Sequence, residues 1–239
     1  MDMTIREWGD VREAVLELAR QKQVMPFVGA GISVFAPTAM PAGREMLHSA
    51  LRGVFREPQR FISMSSENWR PDERQMELRS PEVVLQGLFE GLPDTAKAYS
   101  PYDGLVGAEP NPIHVCLAHG LTNGSIPAVL STNPDDCIER AAQPGAVTSV
   151  YAASEFDSLR SSAVYHMHGI CSSPSDAERV EKLLSLANTL NQMGPRLPGD
   201  KRGLLERVAE QHSLLFVGYS GSDPDVWYSL DELLAIHDA

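Results

Sequence analysis

The chain has 239 residues, 43% of them hydrophobic, which is enough for one large domain with a buried core. Its 20 basic and 32 acidic residues leave a net charge of −12 with no basic run, which argues against direct binding of nucleic acid. No stretch nears the ~20 apolar residues that span a bilayer, and residues 1–7 are too polar for a signal peptide, so a cytoplasmic location and no membrane contact are expected.

Thr4-Ile5-Arg6-Glu7 has the pattern of a capping box, and Trp8, Val11, Val15 and Leu18 follow at helical spacing, predicting a first helix to about Lys22. The apolar run Val24-Met25-Pro26-Phe27-Val28 predicts a strand that ends in Gly29-Ala30-Gly31-Ile32-Ser33. A helix is expected through Met46, Leu47, Ala50 and Leu51. Residues 54–80 are polar and irregular, and the stretch 54–110 is expected to hold a small cap or insert. Ser80-Pro81-Glu82 and Asn111-Pro112 both read as helix starts, with a capping side chain followed by proline.

The second strand is expected over 126–131, running into Thr132-Asn133-Pro134-Asp135-Asp136 and a helix through Ile138 and Ala141. Two further short strands are expected, from Val147 to Tyr151 and from Ala163 to His166. Residues 176–193 carry an amphipathic pattern, with Val180, Leu183, Leu184, Ala187 and Leu190 on one face. A helix over about 201–211 follows. The last strand is expected over 213–219. It leads to Ser220-Gly221-Ser222-Asp223-Pro224, where Asp223 can cap a final helix. Alternating strands and helices imply an α/β fold: a Rossmann-like, mainly parallel sheet with helices on both faces and a helical or irregular insert. The chain stops soon after the last helix, which suggests an N-terminal fragment of a longer protein.

In open α/β sheets, ligands bind at the carboxyl ends of the strands. Residues 29–33, 132–135 and 218–223 are therefore expected to converge on one crevice. Glycines at 29 and 31 let the backbone approach a pyrophosphate, with free N–H groups at the turn to bind it. The full Gly-x-Gly-x-x-Gly pattern is absent because position 34 is Val, and no P-loop occurs. In Val164-Tyr165-His166-Met167-His168-Gly169, strand alternation places both histidines on one side, and His168 at a strand end can serve as a base. Gly218-Tyr219-Ser220-Gly221-Ser222 approximates a nucleophile elbow but fails at its fifth position, and too little chain follows to supply the partners. Cys116, Cys137 and Cys171 are scattered, form no Cys-x-x-Cys pair, and read as small buried apolar residues. No metal site is expected.

Four pieces together carry a resemblance: Gly29-Ala30-Gly31-Ile32-Ser33, Ser131-Thr132-Asn133-Pro134-Asp135, Met167-His168-Gly169, and the run from Phe216 through Asp225. Asn111-Pro112-Ile113-His114 fits the same pattern. In this order, the chain resembles the sirtuin superfamily, in its bacterial sirtuin-like NAD-hydrolase branch. The resemblance implies that the whole of 1–239 is one sirtuin-like domain taking NAD as substrate. It places the NAD phosphates against Gly29, Ala30, Gly31 and Ser33. It puts the nicotinamide ribose near Thr132, Asn133 and Asp135, and the catalytic histidine at His168. Gly218, Ser220 and Asp223 fall on the adenosine side. Arg44 matches a loop arginine once two extra residues are allowed.

The chain departs from the family at Pro134, where an aromatic or aliphatic residue is usual, and in the helical stretch after Gly169. Three cysteines cannot build the four-cysteine zinc ribbon of the deacylases, so no zinc is expected. The resemblance thus implies NAD hydrolysis to nicotinamide and ADP-ribose, in an anti-phage effector that is a homo-oligomer and can carry a fused C-terminal sensor domain. The competing expectations are a non-catalytic module that binds NAD or ADP-ribose, an NAD-dependent deacylase with a non-zinc substrate lobe, and a scaffold in which the glycines only turn the chain.

Overall fold

The computed structural model describes residues 7–41, 104–171, 197, 199–221 and 223–237. The expected elements at 46–51, 54–80, 80–82 and 176–193, together with Thr4 and Arg44, lie outside these. The first helix, α1, runs Trp8–Arg20 with Glu7 at its N-cap and no capping side chain. Strand β1 is Val24–Val28 and ends in a 3₁₀ turn at Ala30–Ile32. Helix α2 is Pro112–Thr122, β2 is Ala128–Ser131 and α3 is the short Cys137–Ala141. Strands β3 (Thr148–Val150) and β4 (Ala163–His166) follow, then α4 (Gly199–Gln211), β5 (Ser213–Val217) and α5 (Pro224–His237). The expected strands at 126–131 and 213–219 are each two residues shorter: Pro127 precedes β2, and Gly218 turns with φ +62° after β5.

The five strands form one sheet in the order β3-β4-β2-β1-β5, and every pairing is parallel. This is the Rossmann-like α/β architecture expected from the alternation of elements. Proline at a central strand position needs an explanation, since it removes a ladder donor. Thr132 N–H donates to Val28 O, so even-numbered residues of β1 point their backbone toward β2. The β1–β2 ladder begins only at Phe27, so Pro26 faces β2 before any donor is required.

Alternation along each strand divides the core in two. Met25, Phe27, Ala128, Leu130, Ala163 and Tyr165 pack on one face with Leu204, Leu205 and Val208 of α4 and Val226, Leu230 and Leu233 of α5. Val28, Val129 and Val164 pack on the other with Leu117, Ala118 and Leu121 of α2 and Ile138 of α3. Each fully buried aliphatic or aromatic side chain contributes about 1.5–3 kcal/mol, so the two apolar layers hold the helices to the sheet. Cys137 and Cys171 are buried as expected, but Cys116 lies on the outer side of α2 and is exposed. No helix of the described residues is long and apolar enough to cross a membrane.

Candidate functional site

The register places the crevice. Val217, Val28, Ser131 and His166 lie in one row across β5, β1, β2 and β4. Each is the last residue of its strand, so the loops that follow leave the sheet together. The expected convergence of 29–33, 132–135 and 218–223 follows for the first two by direct contact between side chains. For the third it follows by contact between backbones.

Gly31 N–H donates to Gly218 O at 2.8 Å, and Gly29 N–H to Val217 O at 3.3 Å. A Cβ at Gly31 would stand 2.6 Å from Gly218 O, and one at Gly218 would stand 2.5 Å from Ile32 N. These glycines are required because two loops pack backbone to backbone. Ile32 and Ser33 donate back to Gly29 O and Ala30 O. The expectation of several free amides at this turn is therefore corrected. Among the described residues, Ala30 holds the only amide of 29–33 with no acceptor.

Ser33 is the centre of the site. Its Oγ donates to Asp135 Oδ2 at 2.8 Å, accepts from Asn133 Nδ2 at 2.8 Å and lies 3.0 Å from His114 Nε2. His114 Nδ1 accepts from Asn111 N–H at 3.1 Å, so the ring proton is on Nε2 and Nε2 donates to Ser33. Burial pushes His114 below the usual histidine range, against the pull of Asp135 and Glu139, which suits the neutral ring. Ser33, His114 and Asp135 thus meet without forming a nucleophilic triad. The histidine nitrogen facing the hydroxyl already carries a proton, and the carboxylate holds the serine rather than the histidine.

Asp135 Oδ2 also accepts from Asn133 Nδ2 at 2.5 Å, and Oδ1 accepts from Cys137 N–H at 3.0 Å. Both amide hydrogens of Asn133 are therefore committed. Its Oδ1 accepts nothing among the described residues, although Asn133 is only 6% exposed. It is not sealed in either, because it is absent from the fully buried unpaired atoms. Among the described residues, it is the one acceptor of the Ser33–His114–Asn133–Asp135 network left open.

His114, Asp135 and Cys137 bring potential metal-ligand atoms within 4.8 Å of one another. Both ring nitrogens and both carboxylate oxygens are already engaged. Burial, then the charge of Asp135, pushes the Cys137 thiol up, and hydrogen bonds join the members of this cluster.

The remaining expected residues are less closely joined. His168 is 5% exposed and stands two residues beyond β4. Strand alternation does not extend to His168, because β4 ends at His166 and Gly169 N–H turns back to His166 O. His166 is instead fully buried against Glu139 and Asn133. Thr132 is half-buried, Ser220 is exposed, and Asp223 starts α5 with its carbonyl accepting from Trp227 N–H at 3.0 Å. Sequence reasoning did not select His114, Glu139 or His166 as site residues. For His114 a signal was present: Asn-Pro-x-His puts the histidine three positions after the cap, where its ring returns to the Asn111 backbone.

The fold and crevice define a parallel α/β domain with a polar, hydrogen-bonded pocket floor at a sheet's carboxyl edge, the place where such sheets take nucleotides. Residues 127–239, just under half the chain, match the family model of the SIR2-like domain. That stretch includes residues 132–135, His168 and residues 218–223, while Ser33 and His114 lie before it. No curated protein matches the chain. Among solved structures it is similar to SIR2 in complex with the inhibitor EX-527, 2'-O-acetyl-ADP-ribose and deacetylated p53 peptide, with 18% identity over 92% of this chain and 82% of that one and a TM-score of 0.41.

Proposed function

We propose that the crevice binds NAD and that the protein hydrolyses its nicotinamide–ribose bond, giving nicotinamide and ADP-ribose. The observation that carries this reading is the open acceptor Asn133 Oδ1, held on a network in which, among the described residues, the Asn133 amide group, Ser33 Oγ, both His114 ring nitrogens and both Asp135 oxygens are engaged. The similarity of residues 127–239 to the SIR2-like domain supports NAD as the substrate. Gly29, Ala30, Gly31 and Ser33 line the phosphate side, with the Ala30 amide as donor. Gly218, Ser220 and Asp223 lie toward the adenosine. Thr132 and Asp135 flank the nicotinamide ribose.

Cleavage builds oxocarbenium character at the anomeric carbon, while the leaving nicotinamide is already cationic and departs neutral without a general acid. The C–N bond breaks as a water oxygen attaches to that carbon. Asn133 Oδ1 accepts a hydrogen bond from the ribose hydroxyl or the water. His168 takes the water's proton. Positioning supplies much of the rate, and a rigid acceptor does this better than a mobile one.

In the cell this is the work of an anti-phage effector, a cytoplasmic homo-oligomer governed by a C-terminal sensor domain. The test is incubation with NAD, followed by chromatography of the products, beside Asn133→Ala and His168→Ala. Nicotinamide released by the wild type and reduced at least about a hundredfold in either variant supports the reading. Calorimetric binding of NAD without release turns it into a regulatory module. Release only in the presence of an acylated peptide turns it into a deacylase.

A further inference from the structure

The backbone of Asn133 is held as firmly as its side chain. Its N–H donates to Ser131 Oγ at 3.1 Å, and its carbonyl accepts from that hydroxyl at 3.2 Å and from His166 Nδ1 at 3.2 Å. A carbonyl only accepts, so Nδ1 carries a proton. Nε2 of the same ring lies 2.7 Å from Glu139 Oε1, which also accepts from Ser149 Oγ at 2.7 Å. A carboxylate only accepts, so Nε2 carries a proton as well. Two donating nitrogens make an imidazolium. This ring is fully buried, where an unpaired charge would be very unfavourable, and Glu139 of α3 supplies the counter-charge.

We propose that His166, clamped by Glu139, is a positioning residue that fixes the Asn133 carbonyl and thereby aims the Asn133 side chain into the crevice. The inference rests on the reading of Asn133 as a working residue of the NAD site. Its consequence is a specific pH response. Burial pushes the ring's pKa down, but Glu139 by charge and hydrogen bond, the Asn133 carbonyl and Asp135 together hold it above the ordinary 6.5. The charged groups facing the ring are Glu139 and Asp135, and Ser149 of β3 reaches Glu139 without charge. When the ring loses one proton, the carboxylate retains Nε2–H. The Nδ1 lone pair then faces the Asn133 carbonyl and the loop 132–135 is released. In Glu139→Gln the amide can donate to Nε2, so a neutral ring keeps Nδ1–H on Asn133 and the response disappears.

The experiment uses the full chain with ¹⁵N-labelled histidine and asparagine, as wild type, His166→Phe and Glu139→Gln. Ring nitrogen shifts and the Asn133 side-chain amide resonance are followed from pH 5 to 10, with kcat and KM for NAD. Wild-type His166 is expected to show both nitrogens protonated beyond neutral pH. Its kcat is expected to fall on the alkaline side with the titration of that ring. His166→Phe is expected to move the Asn133 amide resonance and lower kcat about tenfold or more, with KM changing far less. In Glu139→Gln the ratio of kcat at pH 9 to kcat at pH 7 is expected to approach one, whatever its absolute rate.

An unmoved Asn133 resonance in His166→Phe overturns the proposal, as does an alkaline limb that persists unchanged in Glu139→Gln. If His166→Phe does not fold, Glu139→Gln carries the test. If the wild type releases no nicotinamide, the hydrolase reading falls, while the ring and amide resonances still judge the clamp.

Discussion

Asp136 lies beside the site network and contributes nothing to it. Burial, relieved in part by Arg140 at 3.9 Å, raises its carboxyl from 3.8 to about 6, and its Oδ1 has no hydrogen bond. An acid whose folded pKa is raised is a load on the fold once ionised. The fold therefore loses stability as pH rises from about 4 through 6. Asp136→Asn is expected to raise the thermal midpoint at pH 8 and to converge on the wild type near pH 4, as read by calorimetry at both pH values. Its neighbour Asp135 differs by one residue and has the opposite character, with three donors on its two oxygens. The sequence pair Asp-Asp does not say which carboxylate works. The direction each side chain takes at the end of β2 decides it. The glycines give a similar case. Their presence at 29, 31 and 218 was legible as turn chemistry, but the reason for them is the packing of one loop backbone on another, where a Cβ at Gly31 would stand 2.6 Å from Gly218 O.

At the scale of elements, α2 begins where its first residues can satisfy free amides. Asn111 Oδ1 accepts from Ile113 N–H at 2.9 Å, so Asn-Pro was a sound helix start in the sequence. What was not legible is the other half of the side chain, whose Nδ2 donates to Ile32 O at 2.7 Å and Phe35 O at 3.3 Å. One residue therefore caps α2 and ties it to the loop after β1. Asn111→Ser keeps the cap and loses the tie, whereas Asn111→Ala loses both. Denaturant unfolding is expected to show a loss of about 1–3 kcal/mol for Ser, with about 1 kcal/mol more for Ala. Equal stabilities would assign the residue to only one of the two roles. The opposite case is α1, where a capping box is written at Thr4 but the helix starts at Trp8 without a capping side chain. Likewise, alternation was carried too far at β4, which ends at His166 because the chain turns there through Gly169 with φ +87°.

Across the whole molecule, the site is a junction between segments distant in sequence. Ser33 bonds His114 across 81 positions and Asp135 across 102. Ser33→Ala leaves Asp135, Asn133 and His114 each short of a partner, and is expected to lower unfolding free energy by about 1–3 kcal/mol or more. Because both residues serve one network, Ser33→Ala and Asp135→Asn are expected to be non-additive by about 0.5–3 kcal/mol in a double-mutant cycle. Additive losses would mean that the loops are held independently.

The sequence by itself determined the alternation of strands and helices, the parallel sheet, and the three loops that carry the site. Those depend on local matters: apolar runs, capping side chains and glycines at turns. Only the tertiary structure decided the strand order β3-β4-β2-β1-β5, and with it which loop ends meet. It alone set the proton on His114 Nε2, the two on His166, and the one acceptor of Asn133 left open. The physical reason is that a hydrogen bond's direction is fixed by both partners, and here the partners are brought together by the sheet rather than by their spacing along the chain.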